Sequence, residues 1–279
     1  MHGGSASIPE RSQGINSFFL SFLEKSPVLS RYAMTRGWHY VLSWLHRCTG
    51  IGLVIIVYLY LFSSVPTPEA TRPRMGICAG PLFAFSIWIS YLITGFHALN
   101  GGRLILYELF GRRNDAAMIR WTFVLTIAYG ALSGVLMILK NLPVPAAVFW
   151  GAAFLGGVLT AYPVASRIGK SRHSIPWKIQ RISGGFLFIA VPAYLLLSIL
   201  SMGVADQAKT AAVTAHNAFV RISTFILALT ALYHAGYGLF SIAADYAPSR
   251  TARVGIAALI VAGTAALAVL ALKILLSVS

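Results

Sequence analysis

What most limits the folds open to this chain is a series of seven apolar segments, at residues 43–63, 79–109, 119–139, 144–166, 181–203, 214–244 and 253–277. A bilayer's hydrocarbon core takes roughly 20 helical residues to cross, and every one of these segments reaches that length. Inside lipid the backbone has no water to bond, so a spanning segment must be a helix or part of a closed barrel, and barrel strands are far shorter. An all-α membrane protein with a seven-transmembrane-helix bundle is therefore expected. Composition agrees: 57% of the 279 residues are hydrophobic and 10% are charged. The connecting stretches hold helix breakers, among them Pro66, Pro68, Pro143, Pro145, Pro176 and Pro248. Before the first span, NSFFLSFLEK (16–25) clusters its apolar residues at helical spacing, which suits an amphipathic helix lying on the membrane surface.

The formal net charge of +15 would ordinarily suggest a nucleic-acid partner, but its distribution points to membrane lipid instead. With the N-terminus inside, 16 of the 22 Lys and Arg fall on the cytoplasmic side and 5 on the outer side, while Arg221 lies within a span. The expected orientation is an inner-membrane protein with its N-terminus in the cytoplasm and its C-terminus outside. The polar first 40 residues lack a basic-then-apolar export signal and read as a cytoplasmic arm. The two cysteines, Cys48 and Cys78, fall near opposite ends of the first span, too far apart for a disulfide.

Two segments share a pattern. HALNGGRLILYE contains His97, Gly101 and Glu108; HAGYGLFSIAAD contains His234, Gly238 and Asp245. In each, glycine follows histidine by four residues and a carboxylate follows by eleven. On a helix these steps turn by about 40° and 20°, so the three groups share one face. Arg47-Cys48-Thr49-Gly50 opens the span before the first pattern, and Arg181-Ile182-Ser183-Gly184 opens the span before the second. The chain thus reads as two parallel three-helix repeats, and a seventh helix must carry it back across the membrane between them. The expected organisation is an arm (1–40), a first repeat (41–140), a linking helix with its cytoplasmic loop (141–174) and a second repeat (175–279). Paired imidazoles on two helices, each beside residues without side chains, suit a flat metal macrocycle clamped between them. The simpler reading, interhelical hydrogen bonding by membrane histidines, remains open on the residues alone.

SWLHRCTG (43–50) together with the H-x3-G-x-R pattern of HALNGGR (97–103) resembles the larger cytochrome b anchor subunit of succinate dehydrogenase. WKIQRISGG (177–185) with HAGYGLFSIAADY (234–246) is similar to the smaller anchor subunit of that complex. The resemblance covers residues 38–140 and 175–277, as if both anchors were fused through the linking helix. It implies one heme b with His97 and His234 as axial metal ligands, and Arg47, Arg181 and His46 near the heme propionates. It further implies a quinone, ubiquinone or menaquinone, near Ser43, Arg47, Asp245 and Tyr246. The implied partners are an iron–sulfur subunit and, through it, a flavoprotein subunit, with a higher oligomer of the complex possible. One departure stands out: the second histidine that often follows the arginine of H-x3-G-x-R is Leu104 here.

Each residue also has a plainer reading. Ser43 could simply N-cap its helix, and Arg47 could reach to lipid phosphate. Functionally, a hydroxyl and a guanidinium at the membrane edge would bind a quinone carbonyl and stabilise negative charge on it. Asp245 and Tyr246 end a span before Pro248, a common place for polar and aromatic residues, yet a phenol beside a carboxylate offers a quinone a hydrogen bond and a proton route. Glu108 lacks a following Tyr and is expected to be structural, pairing with Arg112 at i+4. His216 has Ala79 as its repeat counterpart, so one heme rather than two is expected. His2 and His173 read as loop residues and His39 as interfacial. The chain has no nucleotide-binding G-x-G-x-x-G, flavin motif or iron–sulfur cysteine cluster, so dehydrogenation itself belongs to a partner. The expected role is a quinone-reactive membrane anchor of succinate:quinone oxidoreductase, not catalytic alone. The reverse-running quinol:fumarate reductase anchor is one alternative, and a heme-free proton-coupled transporter with parallel repeats is the other.

Overall fold

A computed structural model of the chain describes residues 38–63, 81–110, 115–139, 146–201 and 217–277. The described residues form seven α-helices. They are α1 (Trp38–Ser63), α2 (Pro81–Phe110), α3 (Asp115–Leu139), α4 (Ala146–Ile168), α5 (Ile175–Ser201), α6 (Ala218–Tyr246) and α7 (Arg250–Ser277). Each matches one expected apolar segment. The ends shift by a few residues because mixed, aromatic-containing stretches such as Trp38–Leu42 and Ile175–Gln180 continue the helices beyond the apolar run. The surface helix expected at 16–25, together with Cys78, Arg112 and His216, lies outside the described residues.

The chain divides into two compact units, residues 1–45 and 46–279. Of the first, the described part is the opening of α1, where Val41 and Leu42 are buried and Ser43 and Trp44 are exposed. The second unit holds the remainder of α1 and helices α2–α7.

Four stretches of this second unit are long and apolar enough to cross a bilayer: Ala116–Leu139, Ile175–Leu197, Ala218–Tyr246 and Arg250–Lys273. Its exterior is apolar, with Ile138, Tyr162 and Leu259 among the most exposed side chains. Its interior is partly polar, with Asn100, Arg103, Ser133, Gln180 and Ser183 buried. This inversion of the water-soluble arrangement is what lipid as solvent requires, since apolar groups face lipid freely while polar groups must find protein partners.

With no hydrophobic gain from meeting one another in lipid, the helices depend on close backbone approach. The tightest crossing is α4 on α5. Thr160 Oγ1 donates to the carbonyl of Gly185 at 2.7 Å, and a Cβ placed on Gly185 would meet the Ala161 Cα and the Thr160 carbonyl oxygen, each at 3.3 Å. Around it Trp150, Phe186, Ala190, Leu197, Val220 and Leu227 build the largest apolar cluster. Helices α2 and α3 cross where the Trp88 indole donates to the Gly130 carbonyl at 2.8 Å. The crossing of α6 and α7 places Gly236 against Thr264.

These packings bring the polar ends of the helices together. The C-terminal end of α2 meets the start of α5 through Glu108 and Arg181. Arg167 of α4 donates to the Leu109 carbonyl at 3.3 Å, satisfying one of the orphan carbonyls of the last turn of α2. Asn217 caps α6 at its other end, its side-chain oxygen accepting from the Phe219 and Val220 amides. Arg221 stands in the first turn beyond that cap and is half-buried, so it is a helix-end charge rather than a mid-membrane one.

Candidate functional site

His97 of α2 and His234 of α6 are held in the same way by different helices. The Thr49 hydroxyl of α1 lies 3.1 Å from His97 Nδ1, and the Ser183 hydroxyl of α5 lies 3.2 Å from His234 Nδ1. Each hydroxyl also donates back to the carbonyl three residues earlier in its own helix, Thr49 to His46 at 3.0 Å and Ser183 to Gln180 at 2.9 Å. The next residue in each case is glycine. A Cβ on Gly50 would stand 3.1 Å from His97 Cε1, and a Cβ on Gly184 would stand 3.1 Å from His234 Cε1. A hydroxyl-glycine dipeptide therefore seats the Nδ1–Cε1 edge of each ring, and even a methyl there would push the ring off by a few tenths of an ångström.

The residues preceding the two arginines also match by position but differ in chemistry. His46 lies flat on His97, with ring centroids 3.9 Å apart and planes 10° apart. Its counterpart Gln180 is 7% exposed and brings its amide nitrogen to 3.5 Å from His234 Nε2. His46 Nδ1 and Gln180 Oε1 are buried without a hydrogen-bond partner. Arg103 is 3% exposed and bonds Asn100 Oδ1 at 2.9 Å, with Tyr107 beneath its guanidinium. Arg103 thus sets a buried positive charge on the helix that carries His97, which favours an anionic group beside it.

The two repeat arginines each take a carboxylate from the other half. Arg47 Nη2 pairs with Asp245 Oδ2 at 2.5 Å, and Arg181 grips Glu108 with two bonds of 2.6 and 2.7 Å. Arg112, the partner expected for Glu108, lies outside the described residues; among the described residues Glu108 meets Arg181, whose planar guanidinium faces both oxygens from a neighbouring helix in the bidentate geometry that carboxylates prefer. The pairs differ in access. Arg181 also lies over the Trp177 ring at 4.9 Å, and the side chains of its pair are 27% and 32% exposed. Those of Arg47 and Asp245 are 37% and 51% exposed. Tyr246, next in the chain, is 70% exposed.

Of the residues expected at the site, the structure brings His46, His97 and Thr49 together, and sets His234 against α5. Arg47 joins Asp245 beside the exposed Tyr246, whereas Arg181 is engaged by Glu108. Ser43 is exposed on α1, one turn before Arg47 in the same helix. His173 is an exposed loop residue against Trp177, as expected. Sequence reasoning missed Thr49, Ser183 and Gln180. The signal was present: Thr49 and Ser183 each stand two residues after the repeat arginine, and both bear a hydroxyl.

Whether these residues fit a heme is decided by the donor set. Both histidines have Nδ1 within reach of a hydroxyl on a neighbouring helix, so Nε2 is the nitrogen for a metal; at His234 the Gln180 amide, 3.5 Å from Nε2, would turn aside for it. Among the described residues no group of three or more His, Cys, Asp or Glu stands together as a cage for a bare ion. Two imidazoles suffice when a macrocycle supplies the other four donors. The residues fit.

A search of curated proteins and of solved structures found no match to this chain. Two stretches, residues 24–136 and 160–272, each match the family described as the succinate dehydrogenase/fumarate reductase transmembrane subunit. The tandem match falls on the same two halves that the histidine and arginine patterns define, and together the stretches span most of the chain. The chain is an integral membrane protein of two repeats, and it belongs to the family of succinate dehydrogenase/fumarate reductase transmembrane subunits.

Proposed function

We propose that this chain is the heme b-binding, quinone-reactive anchor of a succinate:quinone oxidoreductase, built from two fused anchor repeats with all seven helices crossing the membrane and the N-terminus cytoplasmic. The observation that carries the reading is the matched seating of His97 and His234 by Thr49-Gly50 and Ser183-Gly184. Packing histidines need no such seating; metal ligands do, because a partner on one ring nitrogen fixes the tautomer and aims the other at the metal. A bound heme would supply one-electron storage, and Arg103, Arg181 and His46 are the residues proposed to face its propionates, the two arginines as countercharges and His46 as a hydrogen-bonding neighbour.

The quinone is reduced at the more open of the two arginine–carboxylate pairs. Arg47 gives one nitrogen to Asp245 and keeps further N–H groups to offer a quinone oxygen, while both Glu108 oxygens occupy Arg181. Tyr246 is a phenol donor on the same edge, and Asp245 is the neighbouring carboxylate through which a proton is passed to the reduced headgroup. Ser43, one helical turn before Arg47, contributes a hydroxyl. Electrons arrive from an iron–sulfur subunit, itself fed by a flavoprotein, docked on the basic cytoplasmic face that carries Lys170 and Arg172 in a loop and Lys178, Arg250 and Arg253 at helix starts.

The test separates quinone reduction from succinate oxidation in the purified complex. Arg47→Ala is expected to abolish succinate-to-quinone activity while succinate-driven reduction of an artificial dye continues. Loss of both together, or of neither, would overturn the assignment of Arg47.

A further inference from the structure

The hydroxyls of Thr49 and Ser183 do more than fill space beside the histidines. Each has a single proton and lies within hydrogen-bond distance of two acceptors or donors at once: a backbone carbonyl, which can only accept, and an imidazole Nδ1. When the proton goes to the carbonyl, the oxygen's lone pairs face Nδ1, and Nδ1 must carry the ring proton. The surroundings agree. The two hydroxyls are placed alike, each bonding the carbonyl three residues before it and lying 3.1 or 3.2 Å from Nδ1, so one arrangement serves both rings. At the opposite edge of His234, the Gln180 amide nitrogen, a donor only, approaches Nε2 at 3.5 Å and so meets a lone pair there.

From this geometry we infer that Thr49 and Ser183 are positioning residues, one for each metal-ligating imidazole, which hold Nδ1 protonated and Nε2 free and thereby set the donor strength of the ligand pair. The inference rests on the heme reading above. An imidazole whose N–H is bonded to an acceptor is a stronger donor to a metal, and a stronger donor favours the oxidised iron. The Gly50 and Gly184 neighbours make the arrangement possible, because they let each ring edge come down onto its helix. The same dipeptide chemistry on α1 and α5 means that the two ligands are tuned alike. The stacked His46 and the amide of Gln180 then differentiate the two sides.

Redox titration of the purified whole complex, followed by absorbance, tests this, with low-spin electron paramagnetic resonance as a second readout. Thr49→Val keeps the shape and removes the hydroxyl; Ser183→Ala removes the other. Each is expected to shift the reduced-to-oxidised ratio at fixed potential about tenfold toward reduced, or about 59 mV upward for a one-electron couple. The double variant is expected to shift further than either single one. Thr49→Ser and Ser183→Thr, which retain the hydroxyl, are expected to keep the wild-type potential and resonance positions, as a purely space-filling role would not. Should Thr49→Val or Ser183→Ala fail to assemble, Thr49→Cys and Ser183→Cys, with a weaker acceptor of similar size, are expected to shift the same way by less. Wild-type potential and resonance positions in whichever of these variants assemble would overturn the inference. A wild-type complex without heme would overturn the heme reading and the inference with it, and the heme content of the wild type distinguishes that failure from the first.

Discussion

Arg181 and Glu108 stand 73 positions apart in the chain, in different repeats, and meet in a two-bond ion pair. Arg47 and Asp245 make the reciprocal pair, so each half of the chain holds the other by one arginine and one carboxylate. The exchange links the repeats at the polar end of the helices and leaves the two pairs unequal in access. This inequality is the physical basis for assigning one pair to structure and the other to quinone chemistry.

If the Arg181–Glu108 pair is structural, Glu108→Gln weakens the join without touching electron transfer. The pair is about a third exposed, so about 1 kcal/mol is at stake. Thermal denaturation of the purified complex is expected to show a lower midpoint, with heme content and quinone turnover kept.

Asp245→Asn should behave in the opposite way. It removes the charge that orients Arg47 and the carboxylate proposed to pass a proton, while keeping the shape of the side chain. Quinone reduction is expected to fall by about tenfold or more, in the range usual for a lost acid–base group. Stability and dye reduction should stay near wild type, and steady-state assays with each acceptor measure the split.

Seating of the ligands is tested from the glycine side. A methyl on Gly50 or Gly184 would lie 3.1 Å from an imidazole carbon, so the ring must shift by a few tenths of an ångström. Ligand constellations tolerate roughly 0.5 Å. Gly50→Ala and Gly184→Ala are therefore expected to retain heme in part, with broadened low-spin resonances, and larger residues at these positions to lose it. Heme per chain and linewidth are the measurements.

The α4–α5 crossing offers a control away from the site. A side chain on Gly185 would meet backbone atoms, which cannot rotate aside. Gly185→Val is expected to cost about 1–3 kcal/mol through overpacking, or to prevent assembly. The yield of folded complex and its thermal midpoint report the change.

Much of this arrangement was legible in the residues. The apolar segments announced the helices because lipid forces each spanning segment to satisfy its own backbone. His97, His234, Arg47 and Arg181 stood out because they recur in matched frames. What stayed hidden was pairing across helices. Glu108 has an arginine four residues ahead, and local spacing favours that partner over Arg181, which only tertiary packing brings near. Arg103 is buried in α2, which its place in the sequence does not show, since side-chain direction on a helix is not fixed by distance from its end. Thr49 and Ser183 were overlooked because serine and threonine inside helices commonly bond their own backbone; these two do so and reach a histidine as well.

The central claim is that His97 and His234 are a ligand pair for one heme b. The most direct test is a reduced-minus-oxidised absorption spectrum of the purified complex with heme quantified per chain, for the wild type, His97→Ala and His234→Ala. The account predicts one low-spin heme b in the wild type and its loss in each variant. A wild type without heme, or a low-spin heme that survives both substitutions, would contradict it.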